Sequence, residues 1–179
     1  MTSSLLGPPW FGLTCSADDD PKSYRDFLAT PAQEFAAAIS PDGHWIAYCS
    51  NDTGTYQVYV QRFPEGGGRV AVSINGGWYP YWSADGSALS YLSTDTNRAM
   101  VRLPVTGLQG PDKSPMFGPP KELFPWKYFD IANGGRHFDM TADGKRFLMI
   151  TRGPQGEKPN RLVLVQNWAQ ELKRLVPTK

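Results

Sequence analysis

The chain has 179 residues, 40% of them apolar and 13% aromatic, with eighteen glycines, sixteen prolines and a formal net charge of +1. That is the length of one domain, and a near-neutral chain whose largest basic cluster is Lys173-Arg174 argues against nucleic acid as a partner. No apolar run is long enough to span a bilayer, and Cys15 and Cys49 alone are too few for a disulfide framework or a zinc site.

Residues 1–24 read as an irregular leader. It lacks a basic start, is broken by Gly7-Pro8-Pro9 and offers no convincing cleavage site, so a signal peptide is not expected and a cytoplasmic location is the default. Residues 25–30, Arg-Asp-Phe-Leu-Ala-Thr, then read as a single outer strand.

From here the chain repeats itself. Ser40-Pro41-Asp42-Gly43, Ser83-Ala84-Asp85-Gly86 and Thr141-Ala142-Asp143-Gly144 each separate two apolar runs. When the aspartates are superposed, Tyr48, Tyr91 and Met149 coincide six positions after them, and Ile39, Trp82 and Met140 three positions before. Asp-Gly between such runs is a hairpin turn, because Gly accepts a positive φ and the Asp side chain bonds backbone two residues on.

The first unit, residues 31–73, predicts strands over Phe35 to Ile39, Trp45 to Cys49, Thr55 to Phe63 and Arg69 to Ser73. The second, residues 74–125, predicts Trp78 to Trp82, Ala88 to Leu92 and Arg98 to Pro104. A Pro/Gly-rich insert from Thr106 to Pro120 follows, then a short strand around Glu122 to Phe124. The third, residues 126–179, predicts Arg136 to Met140, Arg146 to Thr151 and Arg161 to Gln166. After it Trp168, Leu172 and Leu175 mark a short amphipathic helix over Asn167 to Leu175. Four strands in about 40 residues is the blade of a β-propeller, so the fold class is all-β with three four-stranded antiparallel blades and a C-terminal helix.

Phe27 to Lys179 resembles the TolB-like, WD-type propeller repeats of bacteria. The resemblance rests on Ile39-Ser-Pro-Asp-Gly-His-Trp-Ile-Ala-Tyr, Val58-Tyr-Val-Gln-Arg-Phe-Pro and Val165-Gln-Asn-Trp-Ala-Gln-Glu-Leu-Lys-Arg-Leu. It looks especially like the C-terminal propeller blades attached to bacterial serine/threonine kinases, although no kinase Gly-rich loop or His-Arg-Asp motif occurs here. The resemblance implies a six-bladed ring and a location outside the cytoplasm. Three blades cannot close such a ring, the third unit shows three strands, and the strand at 25–30 precedes the first blade as Arg69 to Ser73 precedes the second. A homodimer is therefore expected, each copy supplying half of a six-bladed propeller and its Arg25 to Thr30 strand completing the last blade of the other; the alternative is a fragment of a longer propeller.

No Gly-x-Ser-x-Gly elbow, P-loop, His-Glu-x-x-His or Cys-x-x-Cys is present. Functional side chains are therefore expected on the inner strands and the loops entering them: Gln33-Glu34-Phe35, Gly76-Gly77-Trp78-Tyr79 and Gly134-Gly135-Arg136-His137. His137 and Asp139 lie two residues apart, on one face of a strand, and form the candidate catalytic pair. Glu34, Trp78, Tyr79 and Arg136 are the candidate ligand contacts. Six-bladed rings that cleave lactones and esters hold calcium in the channel; Glu34, Asp130, Asn133 and Asp139 would supply oxygen ligands, with Asp18-Asp19-Asp20 as another site. Two functions follow: a non-catalytic module binding a protein, peptide or small ligand, or a calcium-dependent hydrolase of lactones or esters.

Overall fold

A computed structural model describes residues 12–15, 21–108, 114–128, 137–151 and 162–165. A two-stranded hairpin, β1 (Leu13–Cys15) and β2 (Arg25–Leu28), precedes three antiparallel sheets. Blade 1 is the meander β3 (Glu34–Ile39), β4 (Trp45–Ser50), β5 (Gln57–Arg62) and β6 (Val70–Ala71). Blade 2 holds β7 (Gly77–Trp82), β8 (Ala88–Ser93), β9 (Ala99–Thr106), β10 (Met116–Phe117) and β11 (Lys121–Pro125). Blade 3 has β12 (Phe138–Met140), β13 (Phe147–Ile150) and β14 (Leu162–Val165) among the described residues. The fold is all-β, and each sheet is a propeller blade or part of one.

The three Asp-Gly turns are built alike. In the first, the Ser40 hydroxyl donates to Asp42 Oδ1 (2.6 Å) and accepts the Trp45 amide (3.0 Å), while the His44 amide reaches the same carboxylate (3.3 Å). Ser83 with Asp85 (2.7 Å) and Thr141 with Asp143 (2.5 Å) repeat the arrangement. The glycines Gly43, Gly86 and Gly144 have φ of +77, +70 and +67°, which a side chain would strain. The hydroxyl two residues before each Asp thus caps the turn.

Blades 1 and 2 are apolar on both faces, and the blades stack in chain order. Ala47, Cys49, Val58 and Val60 of blade 1 pack on Leu89, Tyr91, Val101 and Leu103 of blade 2. Leu92 and Met100, on the other face of blade 2, pack on Phe138, Met140, Phe147 and Met149 of blade 3. Polar ties cross both seams. Trp82 Nε1 donates to the Ala38 carbonyl (3.0 Å), Tyr81 hydroxyl to the Met140 carbonyl (3.2 Å), and Arg102 Nη2 to the Gly144 carbonyl (3.0 Å).

The structure differs from the sequence reading at three places. Arg25–Leu28 is paired, with Leu13–Cys15, so a strand lies in what reads as an irregular leader; three residues are too few to show alternation. That hairpin contributes Leu13, Phe27 and Leu28 against Ile46, Tyr48 and Tyr59 of blade 1. The Pro/Gly-rich insert contains β10, so β9 is flanked by two short strands end to end, β11 along Ala99 to Arg102 and β10 along Val105 and Thr106. Pro104, which has no amide hydrogen to donate, stands where the partner changes. At blade 3 the inner strand begins at Phe138, leaving His137 outside it, and Arg136 lies outside the described residues. The helix read over Asn167 to Leu175 lies outside the described residues.

Candidate functional site at the mouth of the inner strands

The innermost strands β3, β7 and β12 enter their blades at one end of the array. In β3 and β7 the register slips at the same place in the repeat, between Phe35 and Ala38 and between Trp78 and Tyr81. Ala36 and Tyr79, each six residues before the turn aspartate, sit there in the left-handed region with φ of 54°. A bulge of this kind re-aims side chains, and holding a side-chain-bearing residue there costs about 1–2 kcal/mol. The same offset from Asp143 gives His137.

These bulges gather an arc of aromatic rings across the three blades. Phe35 meets Tyr56 at 5.2 Å and Tyr79 at 6.2 Å between ring centroids; Tyr56 meets Trp78 at 6.2 Å; Trp78 meets Tyr79 at 6.0 Å. Tyr79 then meets His137 edge-on at 6.0 Å. Every contact is edge-to-face, the arrangement the ring quadrupoles favour. Tyr79 is 3% exposed, whereas Trp78 and His137 are half-buried, with Trp78 Nε1 buried and without a hydrogen-bond partner. The Arg98 guanidinium lies 5.3 Å from the Trp78 ring, within reach of a cation–π attraction. The Tyr56 hydroxyl donates to Gln33 Oε1, and the Gln33 backbone N–H donates to Asn51 Oδ1 (2.8 Å), so the loop entering β3 is tied to the arc.

Gly76 and Gly77 owe their place to packing. A Cβ on Gly76 would stand 2.1 Å from Thr94 Oγ1, and one on Gly77 would stand 2.9 Å from Ser73 Cβ.

The structure separates the candidates read from the sequence. Trp78, Tyr79 and His137 come together in the arc. Glu34 turns to the other side of β3, where it is 3% exposed; its Oε1 accepts the hydroxyls of Thr30 (2.5 Å) and Ser50 (3.4 Å), and its Oε2 is buried without a hydrogen-bond partner. Asp139 is exposed on β12 and its Oδ1 accepts the Met140 amide (2.9 Å). Arg136, Asp130 and Asn133 lie outside the described residues. Among the described residues no three His, Cys, Asp or Glu side chains converge on a point that would hold a metal ion. Gln33 belongs to a loop that the sequence singles out, whereas Tyr56 and Arg98 are members of the site that sequence reasoning missed; nothing in the strand read over Thr55 to Phe63 sets Tyr56 apart.

Away from the arc, a concavity of about 160 Å³ lies between the β6–β7 connection and blade 2. Asn75, Ser93, Asp95 and Glu122 line it beside Ile74 and Tyr91. Elsewhere, burial pushes the Cys49 thiol up to about 12 and the Tyr48 phenol up to about 12.

No family model matches the sequence, and no curated protein matches it. Solved structures do. The chain is similar to TolB from Acinetobacter baumannii, at 18% identity and a TM-score of 0.49, over 87% of this chain and 46% of that one. It is also similar to a candidate 6-phosphogluconolactonase from Bacteroides uniformis, at 14% identity and a TM-score of 0.50, over 86% of this chain and 49% of that one. The likeness is one of fold. The chain spans about half the length of each. No helix among the described residues is long and apolar enough to cross a membrane.

Proposed function

We propose that this chain is a propeller module that binds a protein, peptide or small ligand on the face of the blades where the inner strands begin. The observation that carries this reading is the run of rings from Phe35 to His137, which crosses blade boundaries and leaves Trp78 half-open beside Arg98. Packing alone does not require an aromatic residue at a partly open position on three successive blades. Such a surface suits a partner presenting an apolar or cyclic group, with Arg98 and Gln33 at its margin.

The test is a selection of displayed peptides on the immobilised protein, followed by titration of the winners against variants. Trp78→Ala is expected to weaken binding about tenfold or more, as loss of a central aromatic anchor does. Winners that bind Trp78→Ala and Tyr56→Ala as well as the parent would refute this site.

A second reading, hydrolysis of lactones or esters, draws on His137 at the end of the arc and on the fold shared with the Bacteroides protein. His137 would take a proton from water as that water adds to the carbonyl carbon, and would return it to the leaving oxygen as the carbon–oxygen bond breaks, giving a hydroxy acid from a lactone or an acid and an alcohol from an ester. A calcium ion, if bound, would polarise the carbonyl. Release of acid from glucono-δ-lactone, with chelator and with added calcium, reports on this reading. His137→Ala should slow it by about a hundredfold or more. Equal rates in parent, variant and chelated protein would exclude it.

A further inference from the structure

The concavity between the β6–β7 connection and blade 2 shares no lining residue with the aromatic arc, and the sheet itself builds one wall of it. Tyr91 of β8 pairs with Val101 of β9, and Val101 pairs with Glu122 of β11, so these three side chains stand in one row on one face. Ser93 follows Tyr91 on the same face, and Asp95 lies in the loop that leaves β8. Ile74, Asn75 and Gly76 supply the facing wall. Gly76 brings that wall close: its φ is +97°, and a Cβ there would stand 2.1 Å from Thr94 Oγ1.

Polar groups are left over inside it. Tyr91 is 4% exposed, and its hydroxyl has no hydrogen-bond partner among the described residues. A buried tyrosine hydroxyl ordinarily finds one. In blade 1 the equivalent Tyr48 hydroxyl donates to Gln61 Oε1 (2.9 Å), but strand pairing puts Leu103 at the place of Gln61 in blade 2, and leucine offers no acceptor. Burial and the field of the Asp95 carboxylate push the Tyr91 phenol up, so it keeps its proton and presents its lone pairs. Asp95 uses Oδ1 for the Ser93 hydroxyl (3.2 Å) and the Asn97 amide (3.2 Å). Neither Asp95 nor Glu122 has an ion pair among the described residues.

We infer that this concavity binds a primary ammonium group carried on a short aliphatic stem. Two carboxylates and a hydroxyl are acceptors for the three N–H bonds of an ammonium, and the charge meets two carboxylates that no cation of the fold neutralises. The stem lies on Ile74, Val101, Pro120 and the Tyr91 ring. A volume of about 160 Å³ equals about five waters at about 30 Å³ each, the size of four methylenes and a nitrogen. A calcium ion fits poorly, because it takes about six to eight oxygens and this carbon-rich lining supplies too few. A free alkylamine and a lysine side chain both carry the group. The inference rests on the cavity and not on the ligand proposed for the arc.

Titration of n-butylammonium into the isotope-labelled chain, followed by NMR, tests the site. Shifts are expected at the amides of Asn75, Gly76, Thr94, Asp95 and Glu122, and n-butanol, which lacks the charge, should leave them in place. Asp95→Asn keeps the Oδ1 that Ser93 and Asn97 use, and Glu122→Gln alters an exposed residue; each should raise Kd about tenfold. Tyr91→Phe should raise it about fivefold and leave Tm unchanged, since the hydroxyl has no partner in the fold. Acetyl-Gly-Lys-Gly-amide identifies the source: binding tighter than that of butylammonium assigns the site to a lysine side chain, and weaker binding assigns it to a free amine. No shift, equal shifts with n-butanol, a Kd that ignores all three variants, or a Tm lowered by Tyr91→Phe would overturn the inference.

Discussion

Tyr79 shows how a single residue can carry opposite constraints. Its ring is buried and touches Phe35, Trp78 and His137, yet its backbone sits in a region that L-residues avoid. Ala36 holds the same conformation without a large ring to anchor it, which gives a direct measurement of the strain. Ala36→Gly is expected to stabilise the fold by about 0.5–1 kcal/mol, the relief of the left-handed cost outweighing the added freedom of the unfolded chain. A lower denaturation midpoint for that variant would contradict the assigned conformation. Burial, which raises the Cys49 thiol to about 12, predicts that iodoacetamide will not label Cys49 near neutral pH until the protein unfolds. Mass spectrometry of native and denatured samples decides this. The sequence named Trp78 and Tyr79 as neighbours at the mouth but could not divide their roles, because strand alternation was the only guide and the bulge at Tyr79 has no glycine to announce it. Glu34 and Phe35 show the converse: simple alternation separates them, and the structure does too.

The turn is the element in which sequence and structure agree most closely, and its capping hydroxyl gives a prediction of its own. The Ser83 hydroxyl and the amide of Ser87 hold the Asp85 carboxylate down to about 2. A carboxylate depressed in the folded state adds stability above its unfolded pKa of about 3.9, and that contribution is lost as pH falls through the folded value. Ser83→Ala should therefore flatten the acid limb of stability between those two values. It also leaves the Ala88 amide without its 2.9 Å acceptor, and should cost about 1–3 kcal/mol at neutral pH. Urea melts at several pH values test both parts; an unchanged acid limb would show that Ser83 does not set the Asp85 charge. The pairing of β1 with β2 and the two-part flank of β9 were not legible. Strands of two or three residues carry too little periodicity, and the Pro/Gly content of residues 106–120 masks a pairing made by only two of them.

Across the whole molecule, stability resides in the seams between blades. Leu92 and Met100 are fully buried between blades 2 and 3, so Leu92→Ala should open a cavity and cost about 2–5 kcal/mol. Because each blade leans on its neighbours, the loss should appear in a single unfolding transition for all three sheets. Separate transitions by fluorescence and circular dichroism would instead mark the blades as independent. The order of the blades was readable because the Asp-Gly unit returns with the same flanking pattern. What was not readable is how one blade recognises the next. That recognition is visible at the third turn, where Gly144 answers to two demands at once: a φ of +67°, and the Arg102 guanidinium of blade 2, whose Nη2 would lie 2.6 Å from any Cβ placed there. The turn is thus a socket cut to the shape of its predecessor's arginine. A blade bearing another residue at that position would leave the socket empty, so the succession of these sheets is written into their contacts as well as into the order of the polypeptide.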